Sequence, residues 1–191
     1  MTADTEARLE RFVALLLRWN ATLNLIAPGD APVVRQRHVA DSLQLVPLIP
    51  ANVDRAVDLG SGGGFPGLVL AIATGLPFDL IESDRRKASF LRSAILETGA
   101  PARVHACRIE EAGVAPASLV TARALAPLPR LLPLAAPFLA EGGTCLFLKG
   151  ARVEAEIETA RADWRMDVET IPSRTDPAGC ILRITGLARA G

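Results

Sequence analysis

The run Val57-Asp58-Leu59-Gly60-Ser61-Gly62-Gly63-Gly64-Phe65-Pro66-Gly67 leaves an apolar strand and enters an apolar helix. Glycine permits positive φ and lets backbone come close to a ligand. Pro66 suits a first helical turn, where its missing N–H costs nothing. A strand, a glycine-rich loop and a helix in that order mark an open α/β sheet, whose ligands sit at the carboxyl ends of the strands.

The rest of the chain follows that pattern. Strand-like runs at 53–59, 77–82, 102–108, 117–123, 143–149, 164–171 and 179–187 are interleaved with helical stretches at 66–74, 85–98, 128–139 and 151–161. This alternation predicts a seven-stranded, mostly parallel sheet. The last two runs read as a hairpin, which makes the final strand antiparallel. Ahead of the sheet, Leu9, Phe12, Val13, Leu16 and Leu17 share one helix face. Ala27-Pro28-Gly29-Asp30 breaks the chain. A second helical stretch from Val33 to about Leu48 carries Arg35, Arg37, His38 and Asp41, with His38 and Asp41 spaced to pair across one turn. Residues 1–50 are expected to form an N-terminal helical cap, and 51–191 a Rossmann-like α/β domain.

Charge narrows the function classes. The 191 residues hold 21 basic and 21 acidic side chains, for a net charge of zero. Nucleic acid would therefore be held by a local basic face, not by bulk charge. Nearly all the cations are Arg, with only Lys87 and Lys149 as lysines. Arg grips phosphate in two-point fashion and stacks on bases. Cys107, Cys145 and Cys180 are too few and too scattered for a disulfide framework or a zinc cluster, so no metal is expected. The start, MTADTEARLE, lacks the pattern of a secretory signal. No uncharged run reaches membrane-spanning length. A cytoplasmic location and no membrane association are the expectations.

The loop reads two ways. Gly62-Gly63-Gly64-Phe65-Pro66-Gly67 fits the dinucleotide fingerprint G-x-G-x-x-G. Asp58-Leu59-Gly60-Ser61-Gly62-Gly63-Gly64 fits D-x-G-x-G-x-G, which resembles the first motif of methyltransferases. The second reading begins at the strand end. Asp58 would attract the cationic amino-acid end of S-adenosylmethionine, directly or through water, and would repel a pyrophosphate. Glu82 closes the next strand where a ribose partner is expected. Ile109 and Glu110, after the third strand, offer an apolar face and an acid to adenine. Arg123 ends the fourth strand, where substrate meets cofactor in such sheets. The blander alternatives are a tight turn followed by a solvated acid, a capped helix start at 108–111 and a surface ion pair at Arg123.

Several further blocks make a family resemblance specific. They are Arg18-Trp19-Asn20 with Asn24-Leu25, Arg37-His38 with Asp41-Ser42-Leu43, Phe65-Pro66-Gly67, Lys87 with Phe90-Leu91-Arg92, Arg108-Ile109-Glu110-Glu111, Ala122-Arg123-Ala124 and Leu148-Lys149-Gly150. In this order, over roughly residues 12–150, the chain resembles the bacterial small-subunit rRNA guanine-N7 methyltransferases, also called glucose-inhibited division protein B or RsmG-like. The resemblance implies an S-adenosylmethionine-dependent methyltransferase fold. Its cofactor contacts fall on Gly60, Phe65, Ile109, Glu110 and Arg123, beside Asp58, Gly62 and Glu82 from the loop reading. The implied substrate is guanine 527 of 16S rRNA, free or within the 30S subunit or a precursor. A monomer is expected.

The chemistry agrees with what the chain lacks. Guanine N7 carries a free lone pair and no proton, so attack on a sulfonium methyl needs alignment, not a general base. The Asn/Asp-Pro-Pro-aromatic motif of exocyclic-amine methyltransferases is replaced by Thr121-Ala122-Arg123-Ala124. Cys107 and Cys145 lie in or near strands, not in a substrate loop. Arg123 is the candidate catalytic residue. Arg35, Arg37, His38, Arg86, Lys87 and Lys149, with Arg85 and Arg92, are the candidate RNA contacts. Two departures from the family pattern stand out. Glu82 replaces the more common Asp, and Asp176-Pro177-Ala178-Gly179 stands where an Arg or His is usual. The other functions weighed are a small-molecule methyltransferase, a nicotinamide oxidoreductase and a non-catalytic cofactor-binding module.

Overall fold

The computed structural model describes residues 1–190. Seven strands form one sheet: β1 (Ala56–Leu59), β2 (Phe78–Ile81), β3 (Ala102–His105), β4 (Ala117–Arg123), β5 (Leu139–Lys149), β6 (Trp164–Pro172) and β7 (Cys180–Arg189). Their order is β3-β2-β1-β4-β5-β7-β6. The first five pair in parallel, and β7 runs antiparallel to both β5 and β6. The expected hairpin therefore forms, with the final strand inserted between β5 and β6. Strand order reverses where β1 lies between β2 and β4, and a crevice opens there at the carboxyl ends.

Alternation along the strands supplies two cores. Ala56, Phe78, Leu80, Leu119 and Leu146 face one side with α1 (Ala3–Leu23), α3 (Gly67–Thr74) and α4 (Arg85–Thr98). Val57, Leu59, Ile81, Val120 and Phe147 face the other with α5 (Leu128–Ala135) and α6 (Val153–Ala160). Each large apolar side chain buried this way contributes about 1.5–3 kcal/mol.

α1 begins on Thr2, whose hydroxyl accepts from the Thr5 amide at 3.2 Å, and acidic Asp4 and Glu6 occupy its first turn. Leu9, Phe12, Val13 and Leu16 are buried as the periodicity predicts. Leu17 is not: it is 37% exposed, and Leu15 is buried instead, in the cluster that holds Ile26 and Val34. Phe12 packs edge-on to Phe65 and near Phe90, which binds α1 to both the glycine loop and α4.

The expected helical stretch from Val33 to about Leu48 forms as a series of short turns of different types. They are a 3-10 turn (Pro28–Val33), a π-type turn (Arg35–Val39), the short α2 (Ala40–Leu43) and another 3-10 turn (Val46–Leu48). Pro32 and Pro47 each lack an N–H, which shortens the regular run on both sides. Among the described residues, no helix is long and apolar enough to cross a membrane.

Candidate active site

The glycine loop turns the chain from β1 into α3 over the crevice. Gly60, Gly62 and Gly64 all adopt positive φ, at 67°, 52° and 89°. Gly60 has a second reason to lack a side chain, since a Cβ there would stand 2.7 Å from Leu125 Cδ1. The loop is tied down by Ser61, whose amide donates to the Ile81 carbonyl at 3.0 Å.

Beside the loop lies a cavity of about 430 Å3. Gly60, Gly62, Phe65, Glu82, Ile109, Glu110 and Arg123 all border it. Seven of the eight residues predicted from sequence to hold a cofactor thus come together from four strand ends. Glu82 is the most engaged. Its Oε2 accepts from the Gly62 amide at 2.8 Å and its Oε1 from the Asp84 amide at 2.7 Å. The carboxylate clamps the glycine loop to the start of α4, and each oxygen retains further accepting capacity at the border of the cavity. Asp84 itself caps α4, accepting from the amides of Arg86 and Lys87.

The eighth residue, Asp58, does not border the cavity. It is fully buried beneath the loop, on the α3 side of β1. Thr121, its register partner on β4, donates to Oδ1 at 2.6 Å, whereas Oδ2 has no hydrogen-bond partner. Burial pushes the carboxyl up to about 6, against the pull of the Thr121 hydrogen bond. Thr121 was missed in sequence. Its signal is a polar residue within the apolar run Leu119-Val120-Thr121-Ala122, opposite Asp58 on β1.

A second cavity of about 600 Å3 adjoins the first. Arg123 and Ala124 belong to both. Its other walls come from the N-terminal segment (Asp30, Arg37, His38, Asp41), from the end of β5 (Leu148, Lys149) and from the β6–β7 loop (Ser173, Thr175, Asp176). Arg123 is only 18% exposed at its side chain. Its Nη1 donates to Asp41 Oδ2 at 3.2 Å and its Nη2 to His38 Nδ1 at 2.7 Å. The guanidinium carbon sits 4.9 Å from the centre of the Phe65 ring, within range for a cation–π contact. Burial pulls the guanidinium below its usual range, and the Asp41 charge opposes that.

Several sequence expectations need correction here. His38 pairs with Asp30, Nε2 to Oδ2 at 2.8 Å, and not with Asp41. The π-type turn carries its ring away from Asp41, and Arg123 stands between them. His38 is buried, with its ring nitrogens engaged by Asp30 and Arg123. Lys149 is likewise committed: its Nζ lies 2.6 Å from Glu156 Oε2 and donates to the Ala126 carbonyl at 2.9 Å. At 9% exposure it is a brace between the β4–α5 loop and α6. Of the other basic candidates, Lys87 borders the first cavity and exposed Arg37 the second. Arg35 pairs with Glu6, and Arg86 donates to the Thr22 carbonyl, but both stay exposed. Asp30 was missed, although it closes the Pro28-Gly29 break directly before the basic segment.

Comparison with known proteins agrees with this geometry. The GidB family model, described as rRNA small subunit methyltransferase G, matches residues 5–177. A ribosomal RNA small subunit methyltransferase G of Gluconobacter oxydans is 53% identical over 189 residues, covering 99% of this chain and 97% of that one. The protein of that name from Acidiphilium cryptum is 55% identical, covering 95% and 85%. Among solved structures, the ribosomal protein L11 methylase of Lactobacillus delbrueckii subsp. bulgaricus superposes with a TM-score of 0.61 at 16% identity, covering 87% of this chain and 84% of that one. An O-methyltransferase from Bacillus cereus in complex with SAH gives 0.60 at 14%, covering 91% and 90%. These two likenesses show a shared Rossmann-like methyltransferase fold. With a family model spanning nearly the whole described chain and relatives above 50% identity, the chain belongs to the rRNA small subunit methyltransferase G family.

Proposed function

We propose that this protein transfers the methyl group of S-adenosylmethionine to N7 of a guanine in 16S rRNA, guanine 527 by the resemblance of its motifs. The observation that carries the reading is that two cavities meet at one guanidinium. Arg123 borders a cavity suited to a nucleoside and a second one suited to an incoming base.

The residues of the first cavity fit the cofactor. The free lone pairs of Glu82 match a pair of ribose hydroxyls. Ile109, Leu125 and Leu134 give a purine an apolar bed, and Glu110 stands at the edge where an exocyclic amine would be held. The loop glycines leave room for close approach of the backbone. Asp58 acts from below, by orienting the loop and by its negative field, since it has no face on the cavity.

S-adenosylmethionine supplies an electrophilic methyl on a sulfonium when bound. Guanine N7 supplies a lone pair and leaves no proton for the protein to take. What the chain contributes is therefore alignment and exclusion of water. Arg123 has five N–H groups, and the two bonds to Asp41 and His38 leave others free to hold an oxygen of the base. Arg37 and Lys87, at the rims of the two cavities, are the nearest phosphate contacts, with exposed Arg35 and Arg86 farther out. Phosphate contacts position the RNA, and the cavity reads the base. The partner is 16S rRNA within the 30S subunit or a precursor, met in the cytoplasm by a monomer.

The test is transfer of a labelled methyl group to 16S rRNA, naked and within 30S particles, with the modified nucleotide mapped. Label at one guanine N7 is the expected result. Label elsewhere, or none, overturns the assignment and leaves the fold and family unchanged.

A further inference from the structure

Arg123 is fixed by groups far from it in sequence. Phe65 lies under its face, Asp41 takes Nη1 and His38 takes Nη2. No hydrogen bond from its own strand holds the guanidinium. Asp41 is itself held, since its Oδ1 accepts from Gln44 Nε2 at 2.7 Å and from the Thr175 hydroxyl at 2.8 Å. The N-terminal segment thus completes the wall between the two cavities and ties the β6–β7 loop into the same network.

The protonation of His38 follows from its neighbours. A guanidinium only donates, so Nδ1, 2.7 Å from Arg123 Nη2, is the acceptor and carries no proton. A neutral ring with Nδ1 bare has its proton on Nε2, and Nε2 faces the Asp30 carboxylate at 2.8 Å, where it donates. Both contacts demand the same tautomer. The charged groups around the ring are Asp30 from the preceding turn, Arg37 on its own turn and Arg123 from β4, with Asp41 beyond Arg123 and the uncharged Phe65 ring 5.1 Å away. Burial and Arg123 disfavour a second proton, Asp30 favours it, and the balance lies below the ordinary value of 6.5. A second proton would remove the acceptor and set two cations face to face.

We propose that His38 is the positioning residue for Arg123: held by Asp30 and accepting through Nδ1, it fixes the guanidinium on the wall between the two cavities. The kinetic consequence rests on the methyl-transfer reading; the geometry does not.

The protein has two histidines, His38 and His105, so long-range proton–nitrogen NMR of the full chain resolves each ring. At pH 7 the expected spectrum has His38 in the single Nε2–H tautomer, with a protonation midpoint below 6.5. In Arg123→Met the midpoint rises and the tautomers mix. An Nδ1–H tautomer, a doubly protonated ring at pH 7, or a spectrum unchanged by Arg123→Met overturns the proposal. In methyl transfer, His38→Ala is expected to lower kcat about tenfold or more, with KM for the RNA substrate changing far less. His38→Asn, whose amide oxygen can replace Nδ1 as acceptor, is expected to recover most of that loss. Equal loss in both variants, or a loss confined to KM, contradicts the role. If His38→Ala does not fold, His38→Asn and the NMR titration decide. Absence of any transfer by the unaltered protein would strike the methyl-transfer reading and leave the NMR result standing.

Discussion

A Cβ placed on Gly67 would lie 2.5–2.7 Å from the Cβ, Cγ and Oδ2 atoms of Asp58, so α3 rests directly on a buried carboxylate. This contact lets the glycine loop turn tightly from β1 into the helix. Gly67→Ala is expected to destabilise the fold by about 1–3 kcal/mol, because a well-packed interface has no room to give. Urea denaturation measures it. Gly113→Ala is the control, since nothing lies within 4 Å of a Cβ there. Equal stability of the two variants would contradict the close packing.

Asp58 also sets a pH dependence with an unusual sign. Its native carboxyl titrates near 6, raised by burial from an ordinary value of 3.8. Between about pH 4 and pH 6 the native state holds a proton that the unfolded chain has lost. Stability therefore falls as pH rises through this window and stays lower above it, by on the order of 2–3 kcal/mol. Asp58→Asn, which cannot ionise, is expected to lose this downward slope. Melting temperatures of the two proteins from pH 4 to pH 7 provide the measurement. Parallel profiles would contradict the reading.

The two lysines are expected to separate by role. Lys149→Met breaks a largely buried pair with Glu156 and should cost about 2–3 kcal/mol of stability. The salt dependence of RNA binding should not change. Lys87→Ala should leave stability nearly intact and reduce the slope of log affinity against log salt by about one, the signature of one lost phosphate contact. Filter binding to 16S rRNA across a salt series separates the two. A reduced slope for Lys149→Met would return that residue to the RNA surface.

Much of the site was legible because it sits where strands end. Gly60, Gly62, Phe65, Glu82, Ile109, Glu110 and Arg123 each lie at or just beyond the end of a strand, and an open parallel sheet gathers such ends at one crevice. What escaped depends on three-dimensional direction. Asp58 has the position of a cofactor ligand but the strand alternation of Ala56, so it points under α3. Spacing alone paired His38 with Asp41, yet the non-α geometry of Arg35–Val39 sends the ring to Asp30. Lys149 looks like a free cation in sequence because Glu156, its partner, is seven residues on and on a different element. The β6–β7 loop lacks the family's usual basic residue, but Ser173 and Thr175 anchor it against Gln44 and Asp41.

The most direct measurement is titration calorimetry of S-adenosylmethionine into the purified protein and into Glu82→Ala. One site per chain is expected, weakened at least about tenfold by the substitution, which removes a charge-assisted contact worth about 1.5–3 kcal/mol. Absence of binding to the folded, unaltered protein, or equal binding to both, would contradict the placement of the cofactor between the glycine loop and Glu82.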